Sequence, residues 1–245
     1  MRTLTSKEEQ LFEAVTMRNV DEVKRLIAEN VNVNVQSEEG WTPLMIAAVQ
    51  GDAELSKTLI QAGAQVNTQN DHGRTALMIA AECAYKDIVQ LLVRKKANLD
   101  IQDEDGITAL MWALYIEFRK VDPVLLEAGA NLDLRDNDGD TALICAVCYE
   151  DQHTIRMLLD AGAKIDVKNK EGVGPLDIAR DEGLDEIVQI LETAMAERQA
   201  VAQEVERARR KKEMSDAVTS ITSQLQDPSR RVKAPELKRR GNIVN

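Results

Sequence analysis

Two cysteines, Cys145 and Cys148, form a Cys-x-x-Cys pair in this chain. Such a pair can carry out thiol redox chemistry at the start of a helix, or supply half of a zinc site when a second pair lies elsewhere. The chain has no second pair, and His72 and His153 lack the spacing of zinc ligands. We therefore expect neither a metal nor a cofactor, and we interpret these cysteines and Cys83 as free thiols that pack as small apolar residues.

Carboxylate pairs are the other candidate chemistry. Asp103 with Asp105, and Asp136 with Asp138, have the spacing of calcium ligands, but the glutamate that completes a calcium loop is missing. We interpret both pairs as solvated turns. The chain also lacks a glycine-rich phosphate loop. With no catalytic residues recognisable, the sequence predicts a protein that is not an enzyme.

The candidate residues lie within a repeat. Five glycines are spaced by 33 residues, and each opens a phrase such as GWTPLMIAA or GITALMWAL: Gly40, Gly73, Gly106, Gly139 and Gly172. A threonine two residues after most of these glycines can cap a helix, and a second phrase such as LIQAGAQVN ends in a glycine suited to stopping one. Each unit thus predicts two helices too short to be stable alone, so neighbouring units must stack. A first, less regular unit precedes Gly40, giving six units from about Lys7 to Ala194.

The period, the TPL or TAL phrase, the paired leucines and the Gly-Ala pair resemble the ankyrin repeat. The resemblance implies an all-α ankyrin-repeat solenoid of about six helix-turn-helix units that binds partner proteins on a concave face. One departure is systematic: the histidine of the family phrase is replaced by Met45, Met78, Met111, Ile144 and Asp177. A thioether cannot donate a hydrogen bond, so we expect these turns to be held more by packing.

Polar residues at both ends of the array predict solvent-facing caps. Arg180 and Glu192 stand where inner units have small or apolar residues, and Lys7 and Glu13 do so in the first unit. We expect three parts: a repeat array at 1–194, an extended helix at 195–227 and a basic, disordered tail at 228–245.

Charge is distributed unevenly along the chain. Residues 1–190 carry 19 Lys and Arg against 34 Asp and Glu, a net charge of −15, whereas residues 191–245 carry +4. An acidic array disfavours nucleic acid and favours a basic protein partner, while the tail could contact anionic surfaces. The sequence lacks a long apolar stretch or signal peptide pattern, so we expect a cytoplasmic protein without a transmembrane segment.

The extended helix carries apolar residues at alternating spacings of four and three, as a coiled-coil seam does. These seam positions are Ile187, Leu191, Ala194, Arg198, Val201, Val205, Ala208 and Lys212. Two are cations and two are alanines, so we favour a monomer and leave a coiled-coil dimer open.

Positions that differ between units, unlike the framework, identify a candidate partner-binding site. They follow the repeat glycines or end the first helix of a unit, and the predicted contacts are Trp41, Arg74, Ile107, Tyr115, Ile116, Asp140, Cys148 and Tyr149. Aromatic residues are enriched in interface centres. An alternative is that Ile116 packs locally, because Pro123 alters its unit. We expect a non-enzymatic adaptor or inhibitor; the alternative is an assembly subunit that docks or self-associates through the C-terminal helix and tail.

Overall fold

The computed structural model describes residues 4–114 and 122–225, which form twelve α-helices and no strand. Their bounds are α1 Ser6–Thr16, α2 Val20–Ala28, α3 Pro43–Val49, α4 Ala53–Gln61, α5 Ala76–Glu82, α6 Lys86–Arg94, α7 Ala109–Leu114, α8 Asp122–Glu127, α9 Ala142–Cys148, α10 Gln152–Asp160, α11 Pro175–Asp181 and α12 Asp185–Leu225. The chain divides into two units of internal contact, Met1–Ala194 and Met195–Asn245.

Odd-numbered helices are the first helices of the repeats, and even-numbered helices are the second. Each first helix contacts the first helix of the next repeat, and α2, α4, α6, α8 and α10 contact one another in the same order. The buried side chains between these two layers are mainly leucine, isoleucine, valine and alanine. The predicted all-helical repeat solenoid is confirmed.

Threonine caps start the first helices, as the sequence predicted. Thr42 Oγ1 accepts the backbone N–H of Met45 at 3.2 Å, and Thr75 Oγ1 accepts that of Met78 at 3.3 Å. Each methionine sulfur in turn accepts the N–H of its threonine at 3.4 Å. Both methionines are fully buried. The thioether therefore packs as expected and also closes the cap as an acceptor, a role that the sequence argument did not foresee.

The repeat glycines let successive turns touch. Gly106 has a φ of +77°, and a Cβ atom on it would lie 2.9 Å from the backbone nitrogen of Asn137 in the next turn. The turns are joined by backbone hydrogen bonds, such as Glu104 N to His72 O at 3.0 Å and Asn137 N to Asp105 O at 2.8 Å. An L side chain would be strained by the positive φ and would also push these turns apart.

A second series of hydrogen bonds links the segments that precede the turns. Gln69 Nε2 donates to Gly73 O in its own turn and to Gln102 O in the next repeat, at 2.7 and 3.3 Å. Gln36, Gln102 and Arg135 make the corresponding pair of contacts at intervals of 33 residues. Each side chain therefore ties two consecutive repeats together, and the four side chains join five repeats in series.

Polar residues lie at both ends of the array. Glu13 is exposed, and Arg180 Nη2 contacts Glu192 Oε1 at 2.7 Å on the exposed side of the last repeat. In α12, Ile187 and Leu191 are buried in the array, whereas Val201 is 62% exposed. Within the described residues, no helix combines the length and apolar character needed to cross a membrane.

Candidate functional site

We use the name inner face for the surface formed by the residues after the repeat glycines and by the less buried residues of the first helices. Arg74, which follows Gly73, shows how its parts meet. Its guanidinium contacts Glu82 at the end of the same first helix and lies over the Trp112 ring of the next repeat, with Cζ 4.3 Å from the ring centroid. The inner face is thus continuous from one repeat to the next.

Arg74, Glu82, Asp103 and Trp112 contact one another in series, and we call them the Arg74 cluster. Trp112 Nε1 donates to Asp103 Oδ2 at 2.8 Å, while Asp103 Oδ1 accepts the N–H of Ile107 at 2.8 Å. Asp103 is only 8% exposed. The prediction of a solvated turn is therefore wrong for Asp103, because its carboxylate is the buried acceptor that orients both the turn and the indole.

Asp140, Cys148 and Tyr149 occupy the inner face two repeats further on, and we call them the Asp140 region. Asp140 Oδ1 accepts Asn169 Nδ2 at 2.9 Å. Burial raises the pKa of the Asp140 carboxyl, and nearby Asp136 raises it further through like charge. Tyr149 is 44% exposed at the end of α9. This region thus combines a carboxylate with an exposed aromatic ring.

The two cysteines of α9 differ in exposure, since Cys148 is exposed and Cys145 is not. Cys145 is buried within α9, and burial raises the pKa of its thiol to about 12. Burial also raises the pKa of the Cys148 thiol, with Asp140 as the second cause. Because thiolate is the nucleophile and the metal ligand, both cysteines are poorly suited to either chemistry at neutral pH. Within residues 4–114 and 122–225, no group of three or more His, Cys, Asp or Glu side chains could hold a metal ion.

Five of the eight predicted contact residues are at least partly exposed on the inner face. Of the other three, one is buried and two lie outside the described residues. Trp41, Arg74 and Asp140 are partly exposed there, and Cys148 and Tyr149 are exposed. Ile107 is 9% exposed, so its predicted exposure is wrong. The position after a repeat glycine lies against the next repeat, as Arg74 shows on Trp112, and a short apolar side chain is buried there.

Tyr115 and Ile116 lie outside the described residues. Sequence reasoning also missed the roles of Glu82, Asp103 and Trp112. In the 33-residue register, Trp112 occupies the position of Ile46 and Ile79, which favours an apolar role for it. A polar indole N–H at such a position was the available signal, since a buried indole usually finds an acceptor.

Comparisons with known proteins agree with this architecture. Residues 11–103, 85–169 and 110–197 each match the family described as ankyrin repeats in three copies. The crystal structure of an ankyrin repeat domain from Acinetobacter baumannii is similar, with a TM-score of 0.70 and 28% identity, over 75% of this chain and 96% of that one. A 45-residue stretch is 47% identical to the mitochondrial disaggregase of Bos taurus, over 18% of this chain and only 7% of that protein. With its repeats matched from residue 11 to residue 197, this chain belongs to the ankyrin-repeat family.

Proposed function

We propose that this chain is a non-enzymatic adaptor or inhibitor that binds a partner protein on its inner face. Ankyrin repeats are in general protein interaction modules. The observation that carries the proposal for this chain is the exposure of apolar and aromatic side chains on that face. Val49 is 41% exposed and Tyr149 is 44% exposed, each near the end of a first helix. Exposed aromatic anchors flanked by polar groups are typical of protein interfaces.

Electrostatics supports a basic partner. Residues 1–190 carry a net charge of −15, and Asp140 lies on the inner face among further carboxylates. A surface of one sign increases the rate at which oppositely charged proteins associate and disfavours partners of the same sign. Nucleic acid is therefore a poor candidate for the array, because its phosphates would be repelled.

The test is affinity capture from extracts of the source organism, with quantitative mass spectrometry. We expect Trp41→Ala combined with Tyr149→Ala to lose proteins that the unaltered chain captures. Both chains should show similar circular dichroism and thermal melting, because these side chains are only partly buried. Unchanged capture by the double variant would contradict binding on the inner face.

A second candidate function is assembly through the extended helix. Val201, Val205, Met214 and Val218 on α12 are each 59% to 70% exposed. Exposed apolar residues on a long helix favour helix pairing or docking on another protein. Sedimentation of the full chain and of a variant with Val201→Gln and Val205→Gln tests this function. A smaller assembly for the variant would support it, and identical monomers would exclude self-association through this part of the helix.

A further inference from the structure

Exposed carboxylates line the tips of the repeat turns. We call these tips the turn row; its acidic members are Glu38, Glu39, Asp71, Glu104, Asp105, Asp138 and Glu171. The side chains in the row that can carry positive charge are His72, which contacts Glu104 at 2.7 Å, and Lys170, which donates to the backbone carbonyl of Asn137. The turn row is therefore a strongly acidic surface that lies beside the inner face.

Hydrogen bonds between successive turns keep the row in register. Asp71 N donates to Glu39 O at 3.1 Å, Glu104 N to His72 O at 3.0 Å, and Lys170 N to Asp138 O at 2.9 Å. Corresponding tip residues of successive repeats are thus adjacent. A ligand that follows the row meets carboxylates at regular intervals, so its own positive charges must also be distributed along its length.

An unsatisfied donor beside the row gives a second, independent indication of a ligand. Asn70 is 5% exposed; its Oδ1 accepts the N–H groups of His72 and Arg74 at 3.1 and 2.9 Å. Its Nδ2 is buried and has no hydrogen-bond partner in the described part of the chain. A buried donor without an acceptor is costly and therefore uncommon in proteins.

The equivalent residue of a later repeat indicates where a partner for this amide is expected. Asn169 occupies the position of Asn70 three repeats later, and its Nδ2 donates to Asp140, 29 residues before it. The residue 29 positions before Asn70 is Trp41, which is partly exposed and offers no carboxylate. By this correspondence, the partner expected for the Asn70 amide lies at the Trp41 part of the inner face, where a partner's carbonyl would satisfy it once the indole shifts.

We infer that the turn row, together with Trp41 and Asn70, binds an extended segment of a partner protein that is rich in Lys or Arg. This inference rests on the proposed function and names the partner's chemistry. An extended chain presents backbone carbonyls along its length and alternates its side chains between two sides. Carbonyls can therefore accept from Asn70 while cations on one side reach the turn row and the other side covers Trp41.

The protein's own Arg74 shows that the inner face accommodates a guanidinium. It pairs with Glu82 and stacks on Trp112. Carboxylates and aromatic faces are the groups to which arginine binds well. A partner's arginine or lysine would find the same carboxylate chemistry along the turn row.

The test measures fluorescence anisotropy of a labelled peptide of alternating Lys and Ala with the full chain at low salt. Replacing three row carboxylates, Glu39→Lys, Glu104→Lys and Asp138→Lys, should weaken binding by about tenfold or more, because like charges then face the peptide. A matched control reverses three exposed carboxylates of second helices, Asp87→Lys, Glu127→Lys and Asp160→Lys, and should change affinity by less than about threefold, since distant charges are screened. Circular dichroism checks that both variants are folded.

A second pair of variants tests the amide. Asn70→Ser removes Nδ2 and keeps an oxygen acceptor for the turn, as Ser37 does when it accepts the N–H of Trp41 at 3.1 Å. Peptide binding should weaken by about fivefold, the loss expected for one hydrogen bond, while the control Asn169→Ser should bind as the unaltered chain does. Equal affinities for all three proteins would overturn the role of Asn70.

Three further results would overturn the inference. They are no binding of the Lys-Ala peptide, equal weakening by row and control variants, and equally strong binding of an alternating Glu-Ala peptide. None of these results bears on capture of a protein through Trp41 and Tyr149. Loss of captured protein from the Trp41→Ala, Tyr149→Ala chain would leave the proposed function standing with a partner of different chemistry.

Discussion

The Arg74 cluster and the Asp140 region occupy equivalent positions of the array but use them differently. Arg74 and Glu82 pair with each other, whereas Asp140 and Cys148, at the same repeat positions, are a carboxylate and a thiol. The polar groups of the first set are engaged across two repeats, through Trp112 and Asp103. In the second set, burial raises the pKa of both groups, and Asp140 raises the pKa of the Cys148 thiol further. We therefore expect the Arg74 cluster to contribute mainly to stability, and we propose the Asp140 region as part of the partner-binding surface.

The largest effect is expected from a change that disturbs the register between the two regions. Gly106→Ala should lower the free energy of unfolding by about 4 kcal/mol, because its Cβ would lie 2.9 Å from the Asn137 backbone at positive φ. Gly162→Ala is the control. It has a φ of +95° but open space around its Cβ, so it should cost only about 1–2 kcal/mol. Urea denaturation measures both, and equal losses would contradict a steric role for the next turn.

The second test separates stability from binding directly. Trp112→Ala should cost about 3 kcal/mol, because it removes packing beneath Arg74 and leaves the buried Asp103 carboxylate without its indole donor. Tyr149→Ala should cost less than about 1 kcal/mol, since the ring is 44% exposed. Thermal and urea unfolding give both values. Similar losses for the two variants would remove the distinction between the regions.

The third test concerns the residue that follows the Asp140 region. Glu150 has a φ of +54°, whereas glycines occupy this position at Gly51 and Gly183. Glu150→Gly should therefore stabilise the protein by about 0.5–1 kcal/mol, because relief of the left-handed strain exceeds the cost of glycine's greater conformational entropy in the unfolded chain. Glu150→Ala should bring no such gain, because alanine keeps the left-handed strain. Urea denaturation that ranks alanine equal to glycine would contradict this explanation.

The smallest change in stability is expected from a substitution of Asp140 itself. The pKa of this carboxyl is raised in the folded protein, mainly by burial, so its ionised form opposes folding above that pKa. Asp140→Asn keeps an acceptor for Asn169 and should stabilise the protein by about 0.5 kcal/mol at neutral pH, a modest value because solvent screens a partly exposed group. The gain should disappear as the pH falls below the pKa of an ordinary carboxyl, where Asp140 is protonated in both states. A gain that grows in acid would contradict this account.

The fold followed from the sequence because its signals are local and repeated. Threonine caps, glycine stops and the 33-residue period each act within one unit or between units of equal length, so a single sequence contains them. Turn-to-turn contacts were harder to predict. Gly106 needs both a positive φ and room for Asn137, and the second requirement depends on how closely two repeats approach.

The site was predicted less completely, for the same reason. Variation between repeats identified Arg74, Asp140 and Tyr149 as inner-face residues, but it could not show which side chains engage their neighbours. Ile107 was expected to be exposed and is buried, and Asp103 was expected to be solvated and binds an indole. Both differences arise from contacts between repeats, which a comparison of aligned positions does not contain.

The series of bonds through Gln36, Gln69, Gln102 and Arg135 has a consequence for how such a chain can change length. Each side chain bonds to its own turn and to the same position one period later. Excision or duplication of a whole 33-residue block would again place a bonding side chain 33 residues before an acceptor carbonyl. The series of hydrogen bonds would therefore stay intact. A deletion of any other size would misalign the bond that spans the junction. Genetic recombination therefore preserves the whole series of bonds only when it adds or removes whole periods.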